Sequence, residues 1–284
     1  MSNPLSCPRA WAGFLRILTA LLIGALLAGC QSPREALQQL ADAHRRQLEI
    51  LPGQPFPLAM LAPQGTTKAT RLRVYLEGDG HAWSTATQPS LDPSPHNLLV
   101  ARLAVDDPTP NAYLARPCQF VMTATCEPSI WTHRRFSQEV VTRLSQALDQ
   151  MKQRYGNREF ELVGYSGAAA LALLLAAQRD DVAQVQTLAG NLSPRIWAQM
   201  KGLSPLGGSL DPLDYRDRLA AIQQRHLVGD VDHVIPASLA KAYLEKLRPD
   251  ACSEVVISPV TDHQQGWETA WRKWRRQPLD CNSN

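Results

Sequence analysis

The feature that most constrains this chain is the run Phe160-Glu161-Leu162-Val163-Gly164-Tyr165-Ser166-Gly167-Ala168-Ala169-Ala170. An apolar stretch of strand length passes through a serine flanked by glycines into an alanine-rich stretch of helix length, which places the serine on a tight strand-to-helix turn. A serine hydroxyl is a poor nucleophile until it is held exposed, beside a general base and under N–H donors that receive an oxyanion. The turn supplies exposure. The remaining partners must come from elsewhere in the chain.

The N-terminus speaks to the compartment. Two arginines, Arg9 and Arg16, precede an uncharged, mostly apolar stretch from Ile17 through Leu26, which ends in Leu27-Ala28-Gly29-Cys30. The stretch is too short to span a bilayer, which takes about 20 apolar residues, and it stops at small residues as a cleaved signal peptide does. Its Leu-Ala-Gly-Cys end resembles a bacterial lipobox. That resemblance implies cleavage after Gly29, lipid (palmitate among its acyl chains) on Cys30, and a membrane anchor. Gln31 in place of aspartate implies, by resemblance to Gram-negative lipoproteins, the outer membrane facing the periplasm. The alternative is ordinary secretion with Cys30 as one more thiol.

Cysteine usage agrees with export. With Cys7 in the signal and Cys30 acylated, Cys118, Cys126, Cys252 and Cys281 remain. Three connectivities are open, and Cys118 with Cys126 and Cys252 with Cys281 close the short local loops. An oxidising periplasm suits both. No Cys-x-x-Cys and no histidine cluster points to a metal, and no cofactor motif is present.

The formal charge of +3 falls to about +1 once Arg9 and Arg16 leave, so no strong electrostatic partner is implied and nucleic acid is not expected. The basic run Arg272-Lys273-Trp274-Arg275-Arg276 reads as the solvated face of a C-terminal helix or, alternatively, as a contact with anionic lipid. The expected organisation is 1–29 signal peptide, 30–52 lipidated N-terminus with a linker helix over Arg34 to Ile50, and 53–284 a single α/β domain. Apolar runs at Phe56–Leu61, Arg71–Leu76, Leu98–Ala104, Phe160–Val163, Val185–Leu188, His226–Val228 and Glu254–Ile257 read as strands. Helices are expected at about 135–155, 167–178, 212–223, 237–247 and 265–276. This alternation predicts a mostly parallel sheet with helices on both faces.

Three further segments complete a catalytic pattern. The stretch Gly229-Asp230-Val231-Asp232-His233-Val234-Ile235-Pro236 follows a strand and offers a carboxylate at Asp232, with Asp230 as the other choice. His263 lies on the loop after the last strand, in Thr261-Asp262-His263-Gln264. Earlier, the strand ending at Leu76 runs into the glycine-rich loop Glu77-Gly78-Asp79-Gly80-His81, placed to offer the Asp79 and Gly80 N–H groups beside that of Gly167. A plain hairpin turn is the other reading of that loop.

The serine turn resembles a nucleophile elbow, with Ala168 standing where Gly-x-Ser-x-Gly ends in glycine. Together with the order serine, acid, histidine, these segments resemble an α/β-hydrolase-fold serine hydrolase over residues 56–276. The phrases Tyr75-Leu76-Glu77-Gly78-Asp79-Gly80, Arg116-Pro117-Cys118-Gln119 and Ala189-Gly190-Asn191-Leu192 are similar to a group of proteobacterial α/β-hydrolase proteins. The resemblance implies a triad of Ser166, Asp232 and His263, with an oxyanion site of Gly167, Asp79 and Gly80. The implied substrate is a small-molecule or lipid acyl compound. The segment of about 35 residues before the strand at His226 leaves little room for a lid, so an open cleft is expected. Trp83, Trp131, Trp197 and Trp267 fall where they reach toward that cleft or pack beneath it. Asn191 either contacts substrate, orients the acid loop or caps a turn. A second reading is a non-catalytic envelope lipoprotein that keeps the fold as a binding module, motivated by the irregular loop carrying Asp79.

Overall fold

A computed structural model describes residues 31–63 and 69–279. Eight strands form one sheet: β1 (Leu48–Leu51), β2 (Leu58–Leu61), β3 (Arg71–Leu76), β4 (Asn111–Leu114), β5 (Glu159–Tyr165), β6 (Val182–Leu188), β7 (Gln223–Gly229) and β8 (Ser253–Ser258). Their spatial order is β1-β2-β4-β3-β5-β6-β7-β8. Only β2 runs against its neighbours, and the pairings from β4 through β8 are all parallel. The expected α/β class, with a mostly parallel sheet, is what forms.

Helices cover both faces. On one lie α1 (Pro33–Ala43), α2 (Leu99–Val105) and α8 (Trp267–Trp274), whose buried residues share a core with Tyr75, Tyr113 and Leu227. On the other lie α3 (Gln138–Tyr155), α4 (Ala168–Gln178) and α7 (Ala237–Leu244), packed on Val74, Leu162 and Val185. Two short helices, α5 (Pro194–Met200) and α6 (Arg216–Leu219), belong to the excursion between β6 and β7. Helix α4 is buried all round from Ala168 to Ala177, which explains its lack of a polar stripe. Helix α3 is amphipathic, starts under the Ser137 hydroxyl and ends on Gly156 in the left-handed conformation.

Four expectations need correction. The run Leu98–Ala104 is not a strand but contributes to α2, because a buried apolar stretch of seven residues fits either element and here it lies between the sheet and neighbouring helices. The strand in that region is β4, only four residues long. The helix expected over Arg34 to Ile50 stops at Ala43, where the chain turns through Arg45 at positive φ and enters the sheet as β1. Residues 33–51 are therefore part of the domain rather than a linker, with Leu37 and Ala41 fully buried. The helix expected over 212–223 is a 3₁₀ turn (Pro212–Tyr215) followed by α6, and β7 already begins at Gln223.

Cys118 and Cys126 form a disulfide. Cys252 is disulfide-bonded as well; Cys281, the partner expected for it, lies outside the described residues, as do Cys30 and the signal segment.

Candidate active site

Parallel strands deliver their following loops to one edge of the sheet, and Asp79, Gly80, Ser166, Gly167, Asp232 and His263 all sit on such loops. At the end of β5 the chain turns into α4 through Ser166, held at φ 52°. A non-glycine residue in the left-handed region is strained, and the surroundings fix it. Ser166 N–H donates to the Leu188 carbonyl at 3.0 Å, and the Ser166 carbonyl accepts from Ala169 N–H at 3.1 Å and Asn191 N–H at 2.9 Å. Two glycines make the turn possible. A Cβ on Gly164 would come within 2.5 Å of the Ala168 carbonyl oxygen, and one on Gly167 would fall on the Asp79 carboxylate.

Ser166 Oγ lies 3.0 Å from His263 Nε2, and His263 Nδ1 lies 2.9 Å from Asp232 Oδ2. With Nδ1–H donating to the carboxylate, Nε2 is the ring nitrogen that accepts from the serine hydroxyl. The Asp232 side chain is wholly buried, and its other oxygen accepts from the N–H groups of Val234 (2.8 Å) and Ile235 (2.9 Å). Asp230 faces elsewhere and accepts from Thr261 N–H at 3.2 Å. The His263 carbonyl is held by the Tyr165 hydroxyl at 2.5 Å and by the Trp267 indole N–H at 3.2 Å. The ring therefore stands on a loop pinned from two sides.

The glycine-rich loop after β3 lies against the serine turn. Gly78 packs on Tyr165 and Ser166, and Asp79 sits over Gly167. Among the described residues no protein acceptor takes the N–H groups of Asp79, Gly80 or Gly167. A carboxylate beside a developing oxyanion would be unfavourable if it stood alone. Asp79 does not: its two oxygens pair with Arg116 Nη1 and, at 3.1 Å, with Arg135 Nε. Burial works to raise its pKa, but Arg135 and Arg116 outweigh that and hold the carboxyl below its usual range. Arg116 also donates to the Arg135 carbonyl at 2.7 Å, and Gln119 donates to the Gly78 carbonyl at 3.0 Å, so the loop's backbone is fixed as well as its charge.

The cleft encloses about 410 Å³ and is lined by Ser166, His263, Gly80, His81, His96 and Leu99, among others. Its floor includes Glu77, a buried carboxyl pushed up to about 7 by loss of solvent, although Tyr113 (2.8 Å) and Gly78 N–H (2.9 Å) donate to it. His81 and His96 stack with ring centroids 4.6 Å apart. A second recess, of about 460 Å³, opens beside α5, away from Ser166. None of Trp83, Trp131, Trp197 and Trp267 lines the cleft. Trp267 and Trp131 are buried, and the Trp197 indole donates to the Val234 carbonyl at 3.0 Å. Asn191 serves the serine turn through its backbone.

Sequence reasoning missed the clamp of Arg116 and Arg135, the Tyr165 anchor, and the pair His81 and His96. Arg116 stood inside a noted phrase without a role. Arg135 carried no local signal, since its partner is 56 positions away in the chain.

No family model matches the sequence, and no curated protein matches it. Solved structures do resemble it. An alpha-beta serine hydrolase homologue from Coxiella burnetii superposes with a TM-score of 0.52 at 16% identity, over 80% of this chain and 94% of that one. The Pyrococcus furiosus esterase gives 0.58 at 8% identity over 83% and 91%. A bacterial membrane phospholipase A gives 0.53 at 15% identity over 94% and 97%. At such identities the likeness establishes the fold, which is the α/β-hydrolase fold.

Proposed function

We propose that this chain is a serine hydrolase of the cell envelope that cleaves an ester or related acyl bond through Ser166, His263 and Asp232. The observation that carries the reading is the continuous relay from the Ser166 hydroxyl through the His263 ring to a buried carboxylate, at 3.0 and 2.9 Å, on a strained turn open to a cleft. Hydrolase neighbours of the same fold support it.

In this reading each step has a residue to carry it. Ser166 Oγ attacks the acyl carbonyl carbon while its proton passes to His263 Nε2. Asp232 holds the imidazole in the right tautomer and stabilises the imidazolium. The carbonyl oxygen, now negative, is received by the N–H groups of Gly167 and of Asp79 or Gly80. The Asp79 side chain does not oppose this charge, because two arginines already balance it. Collapse of the tetrahedral intermediate expels the alcohol, which takes the proton back from His263. Water then repeats the sequence on the acyl-enzyme.

Anchoring through an acylated Cys30 is part of the proposal, supported by the Leu27-Ala28-Gly29-Cys30 sequence, and places the domain at the outer membrane. A mass measurement on the mature N-terminal peptide tests it. The catalytic reading is tested by fluorophosphonate labelling and by hydrolysis of a panel of acyl esters. Wild type is expected to label, and Ser166→Ala is expected to lose labelling and about four to six orders of magnitude in kcat while folding normally. Unlabelled, correctly folded wild type would leave the binding-module reading in its place.

A further inference from the structure

The cleft and the start of the described chain lie on the same edge of the sheet. Strands β1 and β4 run in the same direction, since each pairs antiparallel with β2. Helix α1 leads into β1 and so runs against it. Its last turn reaches the edge where strands begin, marked by Arg46 donating to the Asn111 side chain and carbonyl at the start of β4 (2.8 Å each). Its first turn reaches the opposite edge, where Arg34 donates to the carbonyl of Phe120, on the loop leaving β4. That loop is bonded to the segment bordering the cleft, through Phe120 N–H to Ser94 Oγ at 2.6 Å.

The helix begins without slack. Ser32 and Glu35 form a capping box, with Ser32 N–H donating to the Glu35 carboxylate at 2.9 Å and Glu35 N–H to the Ser32 hydroxyl at 3.2 Å. Cys30 is two residues earlier, no more than about 7 Å of extended chain. A lipid on Cys30 would thus enter the bilayer immediately beside the edge that carries Ser166.

In the chain, the exposed apolar side chains mostly follow the carboxyl ends of strands. Nine large hydrophobic residues are exposed among the described residues. Eight of them lie on connections that leave the carboxyl ends of strands: Trp83 and Leu91 after β3, Met122 after β4, Met200 and Leu203 after β6, Val231 and Val234 after β7, and Val260 after β8. The ninth, Ile257, is near the carboxyl end of β8. Leu91 and Val260 are 89% and 86% exposed, which costs a freely tumbling domain and benefits one that rests on an apolar phase. Among the described residues no helix can cross a bilayer, so any contact would be interfacial.

We infer that the carboxyl edge of the sheet is a membrane-docking face, with the anchor at its border and the candidate active-site cleft opening toward the lipid surface. The occupant is the bilayer itself, and the substrate is drawn from molecules held at its surface. This rests on the reading of Cys30 as acylated but makes a separate claim about orientation.

The experiment places an environment-sensitive fluorophore on Leu91→Cys or Val260→Cys, and on Arg158→Cys or Asp180→Cys at the opposite edge, in the full-length protein purified from membranes. Each is reconstituted in vesicles of phosphatidylethanolamine and phosphatidylglycerol containing a doxyl-quencher lipid. Quenching at Leu91 and Val260 is expected to exceed that at Arg158 and Asp180 several-fold. Equal quenching at both edges of an acylated chain overturns the orientation. The N-terminal mass reports acylation separately. Should Cys30 prove unmodified, the anchor reading fails; the docking face then stands if added vesicles quench the Leu91 and Val260 labels, and falls if they do not.

Discussion

Two buried ionic clusters, one at each edge of the sheet, show what distinguishes a structural charge network from one that serves a site. At the edge where strands begin, Arg73 pairs with Asp107 at 2.6 Å and Glu161 at 3.0 Å and donates to the Arg275 carbonyl at 2.8 Å. Tyr75 completes the group by donating to Asp107, and the Trp271 indole donates in turn to Tyr75. At the carboxyl edge, Asp79 lies between Arg116 and Arg135. In both clusters burial works against the carboxylate and arginines overcome it, so Asp107 and Asp79 are both held below the usual range. A perturbed carboxylate therefore does not tell the two apart. Position does: the first cluster ties α8 to the sheet, whereas the second fixes a loop that lines the cleft beside Ser166.

The largest effect expected from this contrast is in Gly167→Ala. The added methyl would displace the Asp79 carboxylate and with it the loop proposed to offer oxyanion donors. Ester hydrolysis kinetics should show kcat falling about 100- to 1000-fold, and a near-normal kcat would mean that the loop plays no part in the chemistry.

Arg73→Leu should act on stability instead. Removing the cation leaves Asp107 and Glu161 buried without it, at a cost of about 3–5 kcal/mol by urea denaturation. The specific activity of the folded fraction should be unchanged; a loss resembling that of Gly167→Ala would break the distinction between the edges.

Glu77 and His226 extend the comparison to pH. Burial raises Glu77 from 4.5 to about 7, so between those values the folded protein keeps a proton that the unfolded chain has released, and stability falls as pH rises. Burial lowers His226 from 6.5 to about 3, so below pH 6.5 the unfolded chain gains a proton that the folded protein refuses, and stability falls as pH drops. The two slopes oppose each other between pH 4.5 and 6.5. Glu77→Gln should remove one of them, exposing a rise of about 1.4 kcal/mol per pH unit up to 6.5. Denaturation across that range checks the sign.

The smallest effect is expected from Tyr165→Phe. It removes one of two donors to the His263 carbonyl while the Trp267 indole remains. A kcat decrease of about 10-fold or less with KM unchanged would identify Tyr165 as a positioning residue.

The sequence by itself determined the parts that depend on neighbours along the chain. A strand running through Gly164 into an apolar helix makes the turn at Ser166, and the alternation of strands and helices makes a sheet that sends every following loop to one edge. Once that alternation is read, the separation of Ser166, Asp232 and His263 along the chain matters little, because all three leave strand ends on the same side. Where the local signal was ambiguous or brief, the reading failed: Leu98–Ala104 fits helix and strand alike, and β4 is four residues long. The sequence already favoured Asp232 over Asp230; tertiary structure alone decided that Arg116 and Arg135 neutralise Asp79 and that Tyr165 holds the histidine loop. Those choices turn on side-chain direction at about 3 Å between residues tens of positions apart, and no periodicity along the chain encodes which distant side chains meet.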